Sequence, residues 1–138
     1  MCTLYKLIYS GNFFMGKRVE LTTLIIDLRN FYLIAEDNPP DVSISVLNEY
    51  FNEISDIIKK NGGMIDKYIG DAVFCFWGSP VYDPENIKNA CKAALEMNKA
   101  TDRLSKKWKA KGFPEITGDI GIYTGNVVIG HFGSSVFM

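Results

Sequence analysis

The sequence predicts an α+β domain, an antiparallel sheet carrying its helices on one face. Three observations carry that expectation. Short apolar runs near 19–27, 64–69 and 72–77 have the length and β-branched content of strands. Two longer stretches, about 43–60 and 84–110, repeat apolar residues at three- and four-residue steps, as amphipathic helices do. The order is strand, helix, strand, strand, helix, strand. That is the split β-α-β, ferredoxin-like βαββαβ arrangement, in which the first strand and the central hairpin are neighbours.

Residues 19–27 are nearly continuously apolar, as suits a central strand buried on both faces. A connection over 28–42 follows, with Phe31, Tyr32, Leu33 and the breaker Pro39-Pro40-Asp41. The first helix, about 43–60, carries Leu47, Tyr50, Phe51, Ile54, Ile57 and Ile58 on one stripe and stops at Asn61-Gly62-Gly63. Two short strands then flank Gly70-Asp71, and a glycine first in a two-residue loop fits a type II′ turn. Gly78-Ser79-Pro80 closes the second of them, and Asp83-Pro84 opens the next helix as N-cap and first helical residue. Its expected buried stripe is Ile87, Ala90, Cys91, Ala94, Met97, Thr101, Leu104 and Trp108, ending before Gly112 and Pro114. A last hairpin is expected over about 116–132 with Thr124-Gly125 as its turn, adding one extra C-terminal strand to the βαββαβ core.

The chain has 138 residues, enough for one domain to bury a core without disulfides or structural metal. Its net charge of −1 gives no general attraction to nucleic acid or an anionic membrane. Cys2, Cys75 and Cys91 are odd in number and lack metal-ligand spacing, which fits reduced core thiols in a cytoplasmic protein. Residues 1–15 are apolar and aromatic but interrupted by Lys6, Gly11 and Asn12. That is too short and broken for a membrane span, and there is no basic segment of the kind a signal peptide needs. They read as an extension of unknown role, and Met15-Gly16-Lys17-Arg18 resembles a second start before the domain proper at 16–138.

Candidate chemistry centres on Asp27, which closes the first strand, and Asp71, at the hairpin tip. Alone, Asp71 is an ordinary turn residue and Asp27 a loop solvator or helix cap. Together they fall where the topology converges, and two adjacent carboxylates stay charged cheaply only around a cation. Magnesium or manganese carrying a nucleoside triphosphate is the obvious choice. Neither Gly-x-x-x-x-Gly-Lys-Ser/Thr nor Gly-x-Gly-x-x-Gly occurs, so phosphates need other anchors; the backbone amides of Asn30, Phe31 and Tyr32 serve if they open a short helix. With His131 the sole histidine, nucleophilic triads and zinc sites are poorly supported. Lys67 is either an exposed strand lysine or a base-reading group. As a donor only, its ammonium suits N1 of adenine and not the N1–H of guanine.

These residues bring a family into view. Val19-Glu20-Leu21-Thr22-Thr23-Leu24-Ile25-Ile26-Asp27-Leu28-Arg29-Asn30-Phe31 resembles the opening of class III adenylate/guanylate cyclase catalytic domains. So do Leu47-Asn48-Glu49-Tyr50-Phe51, the run from Gly62 to Ala72, Ala93-Ala94-Leu95-Glu96-Met97, and the run from Gly121 to Gly130. The match extends from about Arg18 to Ser134. The resemblance implies a palm-type domain and a head-to-tail homodimer, or pairing with another cyclase domain, with active sites at the interface. It implies two divalent cations, Mg2+ or Mn2+, held by Asp27 and Asp71 with the carbonyl of Leu28. It makes Lys67 the adenine-selecting residue and ATP the substrate, cyclised to 3′,5′-cyclic AMP with release of pyrophosphate. Asn30, Phe31, Tyr32 and Gly70 complete the expected substrate contacts.

Two departures shape the expectation. The family usually carries glycine and threonine where this chain has Asn30 and Tyr32. It also continues with a segment resembling Tyr-Thr-x-x-Gly-Asp-x-Val-Asn-x-Ala-x-Arg, which supplies transition-state donors and which this chain lacks before Met138. Each such donor is worth about a hundred- to thousand-fold in rate, so this chain alone is expected to be nearly inactive. The alternatives are a non-catalytic cyclase-like module that binds nucleotide or dimerises, and a diguanylate cyclase. Gly70-Asp71-Ala72 in place of Gly-Gly-Asp/Glu-Glu-Phe argues against the last.

Overall fold

The computed structural model describes residues 16–130; the expectations for residues 1–15, for Cys2 and for His131 lie outside them. The order is β1 (Lys17–Arg29), α1 (Phe31–Asp37), α2 (Pro40–Lys60), β2 (Met64–Ile69), β3 (Ala72–Trp77), α3 (Asn86–Lys109) and β4 (Thr117–Ile129). The strands form one sheet in the order β2-β3-β1-β4, with every neighbouring pair antiparallel. This is the expected α+β architecture, with β1 at the centre of the split β-α-β.

Alternation along β1 assigns the two faces. Thr22, Leu24, Ile26 and Leu28 are buried beneath the helices, opposite Trp77, Cys75 and Val73 of β3. Thr23, Ile25 and Asp27 point to the other face, with Phe76 and Phe74 beside them. The helices pack on the first face through Val46, Tyr50, Ile54 and Ile58 of α2 and Ala90, Ala93, Met97, Leu104 and Trp108 of α3. Alanines at 90, 93, 94 and 100 let α3 approach the sheet closely. At the far end Trp77 donates its indole N–H to the Asn61 carbonyl at 2.9 Å and lies against Gly63.

Several boundaries differ from expectation for identifiable reasons. Pro39-Pro40 starts α2 instead of merely preceding it: Pro40 occupies the first turn, where a missing N–H costs nothing. In α3, Asp83 accepts from the Glu85 backbone N–H at 2.8 Å, and regular helix begins only at Asn86. Ile87 and Cys91, placed on the expected buried stripe, are exposed: they lie together, four residues apart, on the edge of α3 that the sheet and α2 leave open.

The expected hairpin turn at Thr124-Gly125 does not form, and the extra strand it would have created is absent among the described residues. β4 runs straight through, pairing with all thirteen residues of β1 from Lys17↔Ile129 to Arg29↔Thr117. A partner of that length rewards continued pairing at every residue. Thr124 is fixed in it by a 3.0 Å hydrogen bond between its hydroxyl and that of Thr22. At Gly125 a Cβ would lie 2.7 Å from Cζ of the exposed Tyr123 ring, which lies over the glycine in this strand.

Candidate active site

The β1 end and the β2–β3 turn meet at one end of the sheet. Gly70 takes the left-handed φ of +60° that a first central turn residue needs, and among the described residues Asn30 is the only non-glycine with positive φ. Asp71 therefore follows in ordinary backbone and turns toward β1. The backbone N–H of Leu28 donates to Asp27 Oδ1 at 2.9 Å and reaches Asp71 Oδ2 at 3.3 Å. One donor shared by two carboxylates, from residues 44 positions apart in sequence, makes them a single site.

Its electrostatics are those of crowded negative charge. Partial burial pushes the Asp71 carboxyl upward first, and the hydrogen bond and charge of Asp27 push it further; backbone N–H groups pull the other way. Beneath lies Tyr50, fully buried with an unpartnered hydroxyl, held strongly toward its neutral form by burial and by the charges of Asp71 and Asp27. Hard carboxylate oxygens beside a backbone carbonyl suit Mg2+ or Mn2+. Among the described residues no third His, Cys, Asp or Glu joins them in a metal-sized cluster.

The other expected residues divide. Asn30 caps α1 with φ 68° and ψ 9°, left-handed geometry that glycine adopts freely and asparagine tolerates best of the rest. Phe31 is buried in the core, whereas Tyr32 is 58% exposed. Lys67 lies on the open face because of a β-bulge. Ile65 pairs with Cys75 but Lys67 pairs with Phe74, leaving Asp66 as the extra residue. Tyr68 then points to the helix side, where its hydroxyl and that of Ser55 are 2.9 Å apart. The Lys67 ammonium sits 3.2 Å from Asp66. Between Lys67 and Asp27 the face is floored by Phe74 and Ile25, which are half-buried.

Sequence reasoning missed Arg29 and Asp119. Asp119 is the direct partner of Asp27 in the β1–β4 register, and Arg29 donates to Asp119 Oδ2 from Nε at 3.0 Å and Nη2 at 2.6 Å. Only the strand register reveals them, and it depends on β4 being one strand.

Comparison with known proteins identifies the family. The family model for the adenylate and guanylate cyclase catalytic domain matches residues 15–137. Adenylate cyclase 1 of Rhizobium meliloti is 32% identical over 117 residues, covering 85% of this chain and 18% of that protein. Among solved structures, the adenylyl cyclase CyaB from P. aeruginosa superposes with a TM-score of 0.84 at 32% identity, over 89% of this chain and 64% of that one. The guanylyl cyclase Cya2 does so with a TM-score of 0.80 at 33% identity, over 87% of this chain and 61% of that one. The chain thus spans about a fifth of the curated relative's length. Among the described residues no helix is long and apolar enough to cross a membrane. A split β-α-β sheet with paired aspartates at the β1 end, and a family match over nearly its whole length, make this chain a member of the adenylate and guanylate cyclase catalytic domain family.

Proposed function

We propose that residues 16–138 form an adenylate cyclase-type domain that takes ATP toward 3′,5′-cyclic AMP and pyrophosphate, with Asp27 and Asp71 as its metal ligands. The observation that carries this reading is the Leu28 N–H shared between the two carboxylates. Asp27, Asp71 and the Leu28 carbonyl would hold two divalent cations, Mg2+ or Mn2+. Such ions lower the pKa of a ribose 3′-hydroxyl and neutralise charge on the phosphates.

The chain's own groups do the positioning. The shared N–H fixes both carboxylates on the same side of the β1 end, so a nucleotide bound there meets a preset geometry. Backbone amides of Asn30, Phe31 and Tyr32 at the start of α1 face the phosphates, and Gly70 lets the turn approach without a side chain. The apolar floor of Ile25 and Phe74 excludes water beneath the ribose and base. Lys67, brought to this face by the bulge at Asp66, donates to N1 of adenine and selects ATP over GTP. The open sheet face, with Phe76 half-buried and Tyr123 59% exposed, is the surface that pairs head-to-tail with a second cyclase domain.

Complementation tests the reading. This chain is mixed with a complete cyclase domain of the family whose own two metal-binding aspartates are changed to asparagine, and cyclic AMP formed from Mn2+–ATP is measured. Product above that of either component alone is expected, and Asp27→Asn in this chain abolishes it. No product from a mixture that demonstrably associates refutes the catalytic reading and leaves a binding or dimerisation module.

A further inference from the structure

Register puts Asp119 directly across from Asp27, on the same face of the sheet. Directly opposed residues hold their Cβ atoms about 5 Å apart, and like charges so placed destabilise a sheet. With Asp71 sharing the Leu28 N–H, this end of the sheet gathers three carboxylates. Arg29 lies two residues beyond Asp27, hence also on this face, diagonal to Asp119. Its Nε and Nη2 both donate to Asp119 Oδ2, so that carboxylate is engaged by Arg29 and is not part of the Asp27–Asp71 cluster. A surface ion pair is worth little for stability, which leaves its charge as its main consequence.

We infer that the Arg29–Asp119 pair is a positioning device for the cation site. It holds the third carboxylate away from Asp27 and Asp71 and cancels its charge, so that the site presents two negative charges and a moderate affinity for divalent ions. This rests on the metal-ligand reading of Asp27 and Asp71.

The test is Mn2+ affinity of the full chain, read from the electron paramagnetic resonance signal of free Mn2+ at low salt. A unit charge within about 8 Å of a divalent ion changes its affinity by about three- to ten-fold in a water-exposed setting. Arg29→Gln is expected to tighten Mn2+ binding by about that factor and Asp119→Asn to weaken it similarly. The double variant is expected within about two-fold of the parent, and Arg29→Lys, which keeps the charge, likewise. Unchanged affinity in both single variants overturns the proposal, as does weakening in both, which is what a merely structural strand clamp gives. If the parent chain binds no Mn2+, or Asp71→Asn binds it as well as the parent, the metal-ligand reading falls too, an outcome separate from an Arg29 null result.

Discussion

Replacing Asp71 with asparagine is expected to raise the stability of the metal-free protein and to abolish its response to Mn2+. Asp27 Oδ1 and Asp71 Oδ2 lie 2.9 and 3.3 Å from the same nitrogen. Two unit charges about 5 Å apart repel by about 1 kcal/mol in a water-like dielectric and by several times that in a drier one. Asp27 is exposed, so the lower figure applies, and asparagine still offers the Leu28 N–H an oxygen. A gain of about 1 kcal/mol corresponds to about 3–5 °C in Tm for a domain of this size. The sign follows from linkage. The folded-state pKa of Asp71 is raised, so its proton-linked stability is fully present below the unfolded carboxylate range and lost as pH climbs through the folded value. The asparagine advantage therefore vanishes at about pH 3 and is complete at pH 7. With Mn2+ at about a hundred times its Kd the parent gains about 2.7 kcal/mol and the variant nothing, so their order reverses. Thermal melts at both pH values, with and without Mn2+, read all four corners. A metal-free variant less stable than the parent at pH 7, or equal Mn2+ stabilisation of both, refutes the reasoning and returns Asp71 to a plain turn role.

Gly63→Ala would place a Cβ 2.6 Å from Cε2 and Cζ2 of Trp77 and 2.9 Å from Cγ2 of Ile58. The Trp77 indole is held by Asn61 and cannot swing aside, so the variant should lose about 2–3 kcal/mol and about 10 °C in Tm; a loss under about 1 kcal/mol contradicts this packing. Lys67→Glu removes the adenine donor and offers an acceptor to guanine, so Mn2+–ATP binding by calorimetry should weaken at least about ten-fold while Mn2+–GTP strengthens; equal losses for both would mean that Lys67 serves charge alone. Of the two cysteines described, exposed Cys91 should alkylate quickly under native conditions. Buried Cys75, whose thiol is pushed up to about 12 by burial, should react only on unfolding, as mass spectrometry of labelled peptides will report.

Much of the fold was legible because its signals are long and periodic. β1 announces itself through its unbroken apolar run, α2 and the β2–β3 hairpin through apolar spacing and a glycine stop, and the order of elements then fixes the sheet. β4 misled because Thr124-Gly125 has turn composition, yet Gly125 does not take the positive φ that such a turn uses. Local chemistry lost to the thirteen-residue partner offered by β1. Cys91 misled for a different reason: the rest of the stripe from Ala90 to Trp108 is buried as expected, but apolar composition alone does not show that the helix edge carrying Ile87 and Cys91 stays open to solvent.

The site divides along the same line. Asp27 and Asp71 could be paired from topology alone, since the split β-α-β places the β1 end beside the hairpin tip whatever the side chains do. Which face Lys67 occupies is a matter of parity, and parity is lost at the bulge. Counting back by twos from Ile69, opposite Ala72 on the open face, Lys67 shares that face; counting forward by twos from Ile65, opposite Cys75, it faces the helices. The two counts disagree by the one residue, Asp66, that the bulge inserts. Nothing in the composition of Met64-Ile65-Asp66-Lys67 marks that insertion, because both faces are occupied by acceptable side chains in either register. The bulge is what allows a single short strand to send Ile65 and Tyr68 into the packing against α2 while presenting Lys67 to the same surface as Asp27. A regular strand through these residues would have put Ile65 and Lys67 on one face, so either the core or the candidate base contact would have been lost.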